Sequence, residues 1–229
     1  FVWYMLMTVC SFAEDKKLIH KYISDIQAAG FDLTIESDVY AFLGVEFSID
    51  SKTGKCSLTQ TGLIDKIIAM AGLEDANLKY TPADKIPLGP SDADPPHSET
   101  WSYASMIGCL NYLANNSRPD IQFAVHQCAR YTHCPKKAHS TALKRIVKYL
   151  LGTRTQGLIL SPTKTITLDM YVDADFAGLW NSNAGEQDPQ RVKSRSGHVL
   201  LLGNCPLLWS SKLQTEIACS MMEAEFIAL

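Results

Sequence analysis

Apolar residues recur at helical spacing near the head of the chain and at strand spacing near its end. Between Glu14 and Ala29, residues Leu18, Ile19, Tyr22, Ile23 and Ile26 share one helix face, and Gly30 supplies the stop. "VYAFLGVEFSID" and "CSLTQ" are rich in β-branched and aromatic residues and flank the turn-forming "SKTG", which predicts a β-hairpin. "TGLIDKIIAMAGL" returns to helical periodicity. "TPADKIPLGPSDADPPHSET" is dense in Pro, Gly and Asp, has no period, and reads as a linker. Three helices follow: "SYASMIGCLNYLANN", then "SRPDIQFAVHQCARYTH", in which Pro loses nothing at the first helical position, then "CPKKAHSTALKRIVKYLLGT", ended by Gly152. In "TITLDMYVDADF", Leu168, Met170, Val172, Ala174 and Phe176 alternate with Asp169, Tyr171, Asp173 and Asp175, so one strand face is apolar and the other acidic. "HVLLLG", "NC" and "PLLWSS" form a further hairpin, and "CSMMEAEFIAL" opens a last helix. The expected fold class is α+β.

Composition changes this picture in two ways. The 7 cysteines are odd in number, scattered and without paired spacing, so a disulfide framework is not expected and a reducing, intracellular setting (cytoplasm or nucleus, not secreted) is. The net charge of −3 hides an asymmetry. Between Ile121 and Leu168 there is no Asp or Glu, whereas Arg130, Lys136, Lys137, Lys144, Arg145, Lys148, Arg154 and Lys164 are all cationic. Such a block suits a phosphate backbone, because each cation that meets a phosphate releases a counterion; a solvated helix face has the same composition.

The apolar opening "FVWYMLMTVC" lacks the basic leader and cleavage site of a signal peptide and is shorter than the roughly 20 residues of a membrane span, so no membrane partner is expected. The start without Met and the end inside "AEFIAL" read as a fragment. His126, Cys128, His133 and Cys134 are zinc-ligand types, but they lack paired short spacing and are expected to serve helix packing.

In this order, "FLGVEF", "SLTQTGLIDKII", "YASMIGCLNYLANNSRPDIQFAV", "ALKRIVKYLLGT", "YVDADFAG", "KSRSGHVLLLG", "LWSSKLQ" and "MEAEFIAL" resemble the copia-type LTR retrotransposon polyprotein. The resemblance implies the end of a reverse transcriptase palm and the start of its thumb over 1–85, a linker over 86–100, a helical connection over 101–160 and a truncated ribonuclease H-like α/β domain over 161–229. Phe42, Leu43 and Gly44 would lie at the hairpin that grips the primer end. Lys136, Lys137, Lys144, Arg145 and Lys148 would meet the backbone of a template–primer duplex or RNA–DNA hybrid, and the rest of the polyprotein is a further partner.

By the same resemblance, Asp173 on its strand and Glu225 on the terminal helix would be the catalytic, Mg²⁺-binding carboxylates of a two-metal site. Mg²⁺ demands hard oxygen ligands, and a metal pair activates water and stabilises the departing oxygen. Asp175 reads as a solvated carboxylate. Glu223 lies two residues before Glu225 and cannot easily face the same site. The family's other two acidic ligands would lie beyond Leu229, so weak Mg²⁺ binding and little cleavage are expected of this chain alone.

The family carries Tyr-x-Asp-Asp just before "FAEDKKLI", where this chain has Tyr4, Met5, Leu6 and Met7, none of which after Tyr4 offers a hard ligand. Written as codons TGG TAT ATG TTG ATG ACT GTN, Trp3 to Val9 contain, from the third base, GTA TAT GTT GAT GAC TGT, which encodes Val-Tyr-Val-Asp-Asp-Cys. The decapeptide therefore reads as the polymerase motif in a displaced frame. Other codons at the locus would end that reading.

Overall fold

The computed structural model describes residues 16–33, 40–50, 52–85, 88–161, 163, 165–180 and 191–229. The opening decapeptide, and with it Tyr4 to Met7, lies outside them, as does Lys164. The backbone forms two units, 1–43 and 44–229.

The first unit holds α1 (Lys16–Ala28) and the two-residue strand β1 (Ala41–Phe42). Along α1, Ile19, Ile23 and Ile26 are half-buried while Leu18 and Tyr22 are exposed, so the buried stripe is narrower than the apolar pattern. Gly30, at φ 89°, ends the helix where predicted.

The second unit begins with the predicted hairpin. Strands β2 (Val45–Ile49) and β3 (Cys56–Thr59) pair antiparallel, with Glu46 opposite Thr59. The Asp50 carboxylate closes their turn by accepting the Lys52 N–H at 2.9 Å and the Thr53 hydroxyl at 2.6 Å. Strand β4 (Leu158–Leu160) returns from far along the chain to pair antiparallel with β3.

Four helices build the core: α2 (Thr61–Ala71), α3 (Tyr103–Asn116), α4 (Gln122–Ala129) and α5 (Lys137–Gly152). Ile64, Ile67, Met106, Leu110, Leu143 and Ile146 are fully buried where these helices meet. Gly72 is left-handed and caps α2, and the Ser102 hydroxyl caps α3 by accepting the Ser105 N–H. "SRPDI" is not the start of one long helix. Pro119–Ile121 forms a 3-10 turn, and α4 ends at Ala129.

The Pro-rich stretch before α3 is fixed to α5 and its approach. Pro96 bridges Lys136, His97 Nδ1 meets the Ser140 hydroxyl at 2.7 Å, Asp94 accepts the Ala138 N–H at 3.1 Å, and Glu99 pairs with Lys144 at 2.7 Å. The strap is held by these side chains together with two backbone bonds, from His97 N–H to Pro135 O and from Lys137 N–H to Pro95 O, both at 2.9 Å.

The last third is an antiparallel meander of β5 (Leu168–Asp175), β6 (Arg195–Leu202) and β7 (Cys205–Leu213), followed by α6 (Met221–Ala228). The β6–β7 turn is Gly203–Asn204, both left-handed, one residue earlier than the predicted "NC". The Trp209 indole N–H donates to Ala114 O at 2.8 Å and ties this sheet to α3. Val172 and Ala174 are half-buried, but Leu168 and Met170 on the same face are 67% and 55% exposed. Eight-residue α6 is too short to cover the whole apolar face. Among the described residues, no helix is long and apolar enough to cross a membrane.

Candidate nucleic-acid interface and carboxylate site

The basic block is continuous in sequence, but acids from elsewhere in the chain pair with part of it. Lys144 is paired with Glu99, and Arg154 with Asp65. Arg145 reaches Asp84 at 3.0 Å and also donates to the Thr81 carbonyl and hydroxyl. Arg130 donates to Gln127 Oε1 and lies over the Tyr131 ring. Acids from three distant segments thus neutralise part of the surface. Lys136, Lys137 and Lys148 make no ion pair among the described residues, and they are the cations of α5 and its N-cap best placed to meet a phosphate.

Leu43 and Gly44 are both left-handed, at φ 49° and 77°. Glycine adopts this conformation freely, but a leucine does so at a cost of about 1–2 kcal/mol. The strained residue is also 65% exposed, so the turn presents an apolar side chain to its surroundings. Phe42 beside it is half-buried.

The acidic site is built from β5 and α6. Asp173 lies opposite Gly197, which in turn lies opposite Ser211. A side chain added at Gly197 would meet only strand backbone, so the surface beside Asp173 is open. Asp175 is exposed and also accepts the Arg195 N–H. Helix α6 packs against β5 and β6 through buried Ala224. The Gln214 amide fixes it there, donating to Ala224 O at 2.8 Å and to the Ser196 hydroxyl at 3.0 Å. Ser196 is the register partner of Ala174.

These contacts decide which acids remain available. Glu223 is spent on the helix cap: its N–H donates to the Ser220 hydroxyl, and its carboxylate accepts the Cys219 N–H at 2.6 Å. Glu225 is exposed and flanks the packing face. Gln214 holds α6 over the Ala174 and Ser196 side of the sheet. Asp173, one residue from Ala174, projects from the other side of the pleat. The structure therefore brings α6 to the Asp173 end of β5 without joining the two carboxylates on one face.

A Mg²⁺ ion would need several hard oxygen ligands converging on one point. Two hard oxygen ligands of the right chemistry are present, but they are on opposite pleat faces, and no three His, Cys, Asp or Glu side chains among the described residues could hold an ion. The described residues by themselves do not make a Mg²⁺ site.

Of the zinc-type residues, His126 and Cys128 pack in the interior, whereas His133 and Cys134 are exposed. His126 Nδ1 accepts from Arg195 at 3.2 Å; burial, then the Arg195 charge, pushes its pKa down to about 4. Burial pushes the Cys128 thiol up to about 12. Sequence reasoning missed the buried polar residues, among them Arg118, Gln127, Arg195 and Gln214. Gln127 carries no local signal because it occupies an ordinary helical position. Arg195 opens a strand beside Lys193, where exposure is the usual expectation.

Taken together, these features define a mixed helix-and-sheet chain with a partly neutralised basic helix and an open, acid-bearing strand. Similarity makes the class specific. The chain is 32% identical to the retrovirus-related Pol polyprotein from transposon RE1 of Arabidopsis thaliana over 93% of its length, and 31% identical to that from transposon RE2 of the same plant over 90%. It is 30% identical to the Pol polyprotein from transposon TNT 1-94 of Nicotiana tabacum over 94%. The chain belongs to the copia-type retrovirus-related Pol polyproteins of transposons. It spans 14%, 13% and 16% of the length of those three relatives. No protein-family profile matches it, and no solved structure does.

Proposed function

We propose that this chain is the segment of a retrotransposon polyprotein that joins the reverse transcriptase palm and thumb to the beginning of ribonuclease H, and that by itself it binds an RNA–DNA hybrid or template–primer duplex without cutting it. The observation that carries the reading is the similarity to transposon Pol polyproteins along nearly the whole chain. The parent protein would copy RNA into DNA and remove RNA from the hybrid by two-Mg²⁺ hydrolysis. In this chain the work falls to Lys136, Lys137 and Lys148, which are free to displace counterions from a phosphate backbone. The exposed Leu43 would contact the primer strand at the hairpin tip.

Fluorescence anisotropy with a labelled RNA–DNA hybrid over a salt series tests this. Affinity should fall steeply with salt, and replacing Lys148 by Gln should lower the salt slope by about one. Affinity that ignores salt would sink the binding reading. Mg²⁺-dependent cleavage that disappears in Asp173→Asn would replace it with an enzymatic one.

A further inference from the structure

Among the described residues β5 pairs with β6 alone and forms one edge of its sheet. We propose that this edge docks an extended segment of a partner protein in which apolar and basic residues alternate.

The backbone sets out which groups a partner would meet. The Gly203 N–H donates to Thr167 O at 2.8 Å, and the register of Leu168 opposite Leu202 makes Thr167 and Gly203 a directly facing, hydrogen-bonded pair. Hydrogen bonding alternates along an antiparallel ladder, so Asp169, Tyr171 and Asp173 spend their N–H and C=O groups on β6. Leu168, Met170, Val172 and Ala174 turn theirs outward. All eight residues of β5 keep one register with β6, and none is Pro, Lys or Arg. Bulges, prolines and lysines are the usual guards against strand addition, and β5 lacks all three. Its guard is charge of one sign, which selects a partner instead of excluding every one.

The side chains define that partner. On one face Leu168 and Met170 are 67% and 55% exposed and lie beside Leu202 and Leu200. The other face carries Asp169, Asp173 and Asp175. Asp169 accepts the Thr167 hydroxyl and Asp175 the Arg195 N–H, but no ion pair among the described residues neutralises any of the three. Residues directly opposite across a ladder share a face, and opposite charges there attract while like charges repel. An added strand therefore gains most when every second side chain is apolar and those between are Lys or Arg. The same rule disfavours a second copy of this chain. Antiparallel pairing centred on Val172 would set Asp169 of each copy against Asp175 of the other, and pairing centred on Tyr171 would set Asp173 against Asp169.

Amide-resolved NMR titration of the full chain with a blocked octapeptide alternating valine and lysine, and with the same peptide carrying glutamate for lysine, tests the edge. The lysine peptide should bind at least about tenfold more tightly. It should protect the outward amides of Met170 and Val172 from exchange more than those of Tyr171 and Asp173. Met170→Pro removes an outward donor without touching the ladder to β6, and should weaken binding about tenfold. Asp173→Asn should weaken it about two- to fivefold and flatten its salt dependence. The proposal is overturned if the two peptides bind alike, if protection falls elsewhere than β5, or if both variants, folded by circular dichroism, bind like the parent chain. Sedimentation showing a dimer that Met170→Pro dissolves would also overturn it, by making a second copy the occupant. No nucleic acid is present in these measurements, so their outcome is independent of the hybrid-binding reading.

Discussion

Asp120→Ala should destabilise this chain more than its half-exposed position implies. Arg118 is 2% exposed, and four of its hydrogen bonds converge on two residues. Its Nε and Nη2 reach the two oxygens of Asp120 at 3.0 and 2.8 Å, while Nη1 and Nη2 reach the Thr153 carbonyl and hydroxyl at 2.9 and 2.7 Å. The Tyr149 hydroxyl donates to Asp120 at 2.8 Å. Burial alone would raise the Asp120 pKa, but the Arg118 and Tyr149 hydrogen bonds outweigh it and hold the carboxyl below its ordinary value. Removing one partner of a buried pair costs about 3–5 kcal/mol, because the other charge is stranded. Asp120 is 37% exposed, so water reaches the vacated space and the expected loss falls to about 2–3 kcal/mol. Urea unfolding at neutral pH, followed by circular dichroism, measures it. The double variant Arg118→Met with Asp120→Ala should regain part of the loss, since the stranded charge goes with it. A single-variant loss under about 0.5 kcal/mol, or strictly additive losses in the double variant, would refute the reasoning.

Other outcomes follow from the same geometry. His126 has an ordinary pKa near 6.5 when unfolded and about 4 when folded, and His139 is shifted in the same direction by burial. The unfolded chain therefore binds more protons between those values, so the melting temperature should fall as pH drops from about 6.5 to 4, and His126→Gln should flatten that dependence. At Gly157 an added Cβ would run into Leu58 O, so Gly157→Ala should displace β4 from β3 and cost about 1–3 kcal/mol in urea unfolding. Ser220→Ala removes the α6 cap and should cost about 1 kcal/mol, with faster amide exchange confined to α6. Trp209→Phe loses the bond to Ala114 O and should cost about 1 kcal/mol while preserving the sheet's circular dichroism.

What could be read in advance was local. The stop at Gly30 and the β2–β3 hairpin each follow from residues within a turn of one another. Contacts that join distant segments left no periodic trace. Nothing near Lys144 or Arg145 announces Glu99 and Asp84, yet these acids decide which cations stay free for a phosphate. The strap before α3 looked like a linker because its order comes from distant partners, through His97, Asp94 and Glu99 and through backbone pairing of 95–97 with 135–137.

The strand alternation around Asp173 carried more than a list of acidic positions. Helix α6 packs on β5, where Val172 and Ala174 of the apolar face are half-buried. The residue that stands out as acidic is then, by the same two-residue period, on the side away from the helix. Glu225 can reach Asp173 only around the edge of β5, the strand that ends the three-stranded sheet. That edge, and not the floor beneath α6, is where a shared ion would have to sit, and a further strand paired there would set how closely the two carboxylates approach.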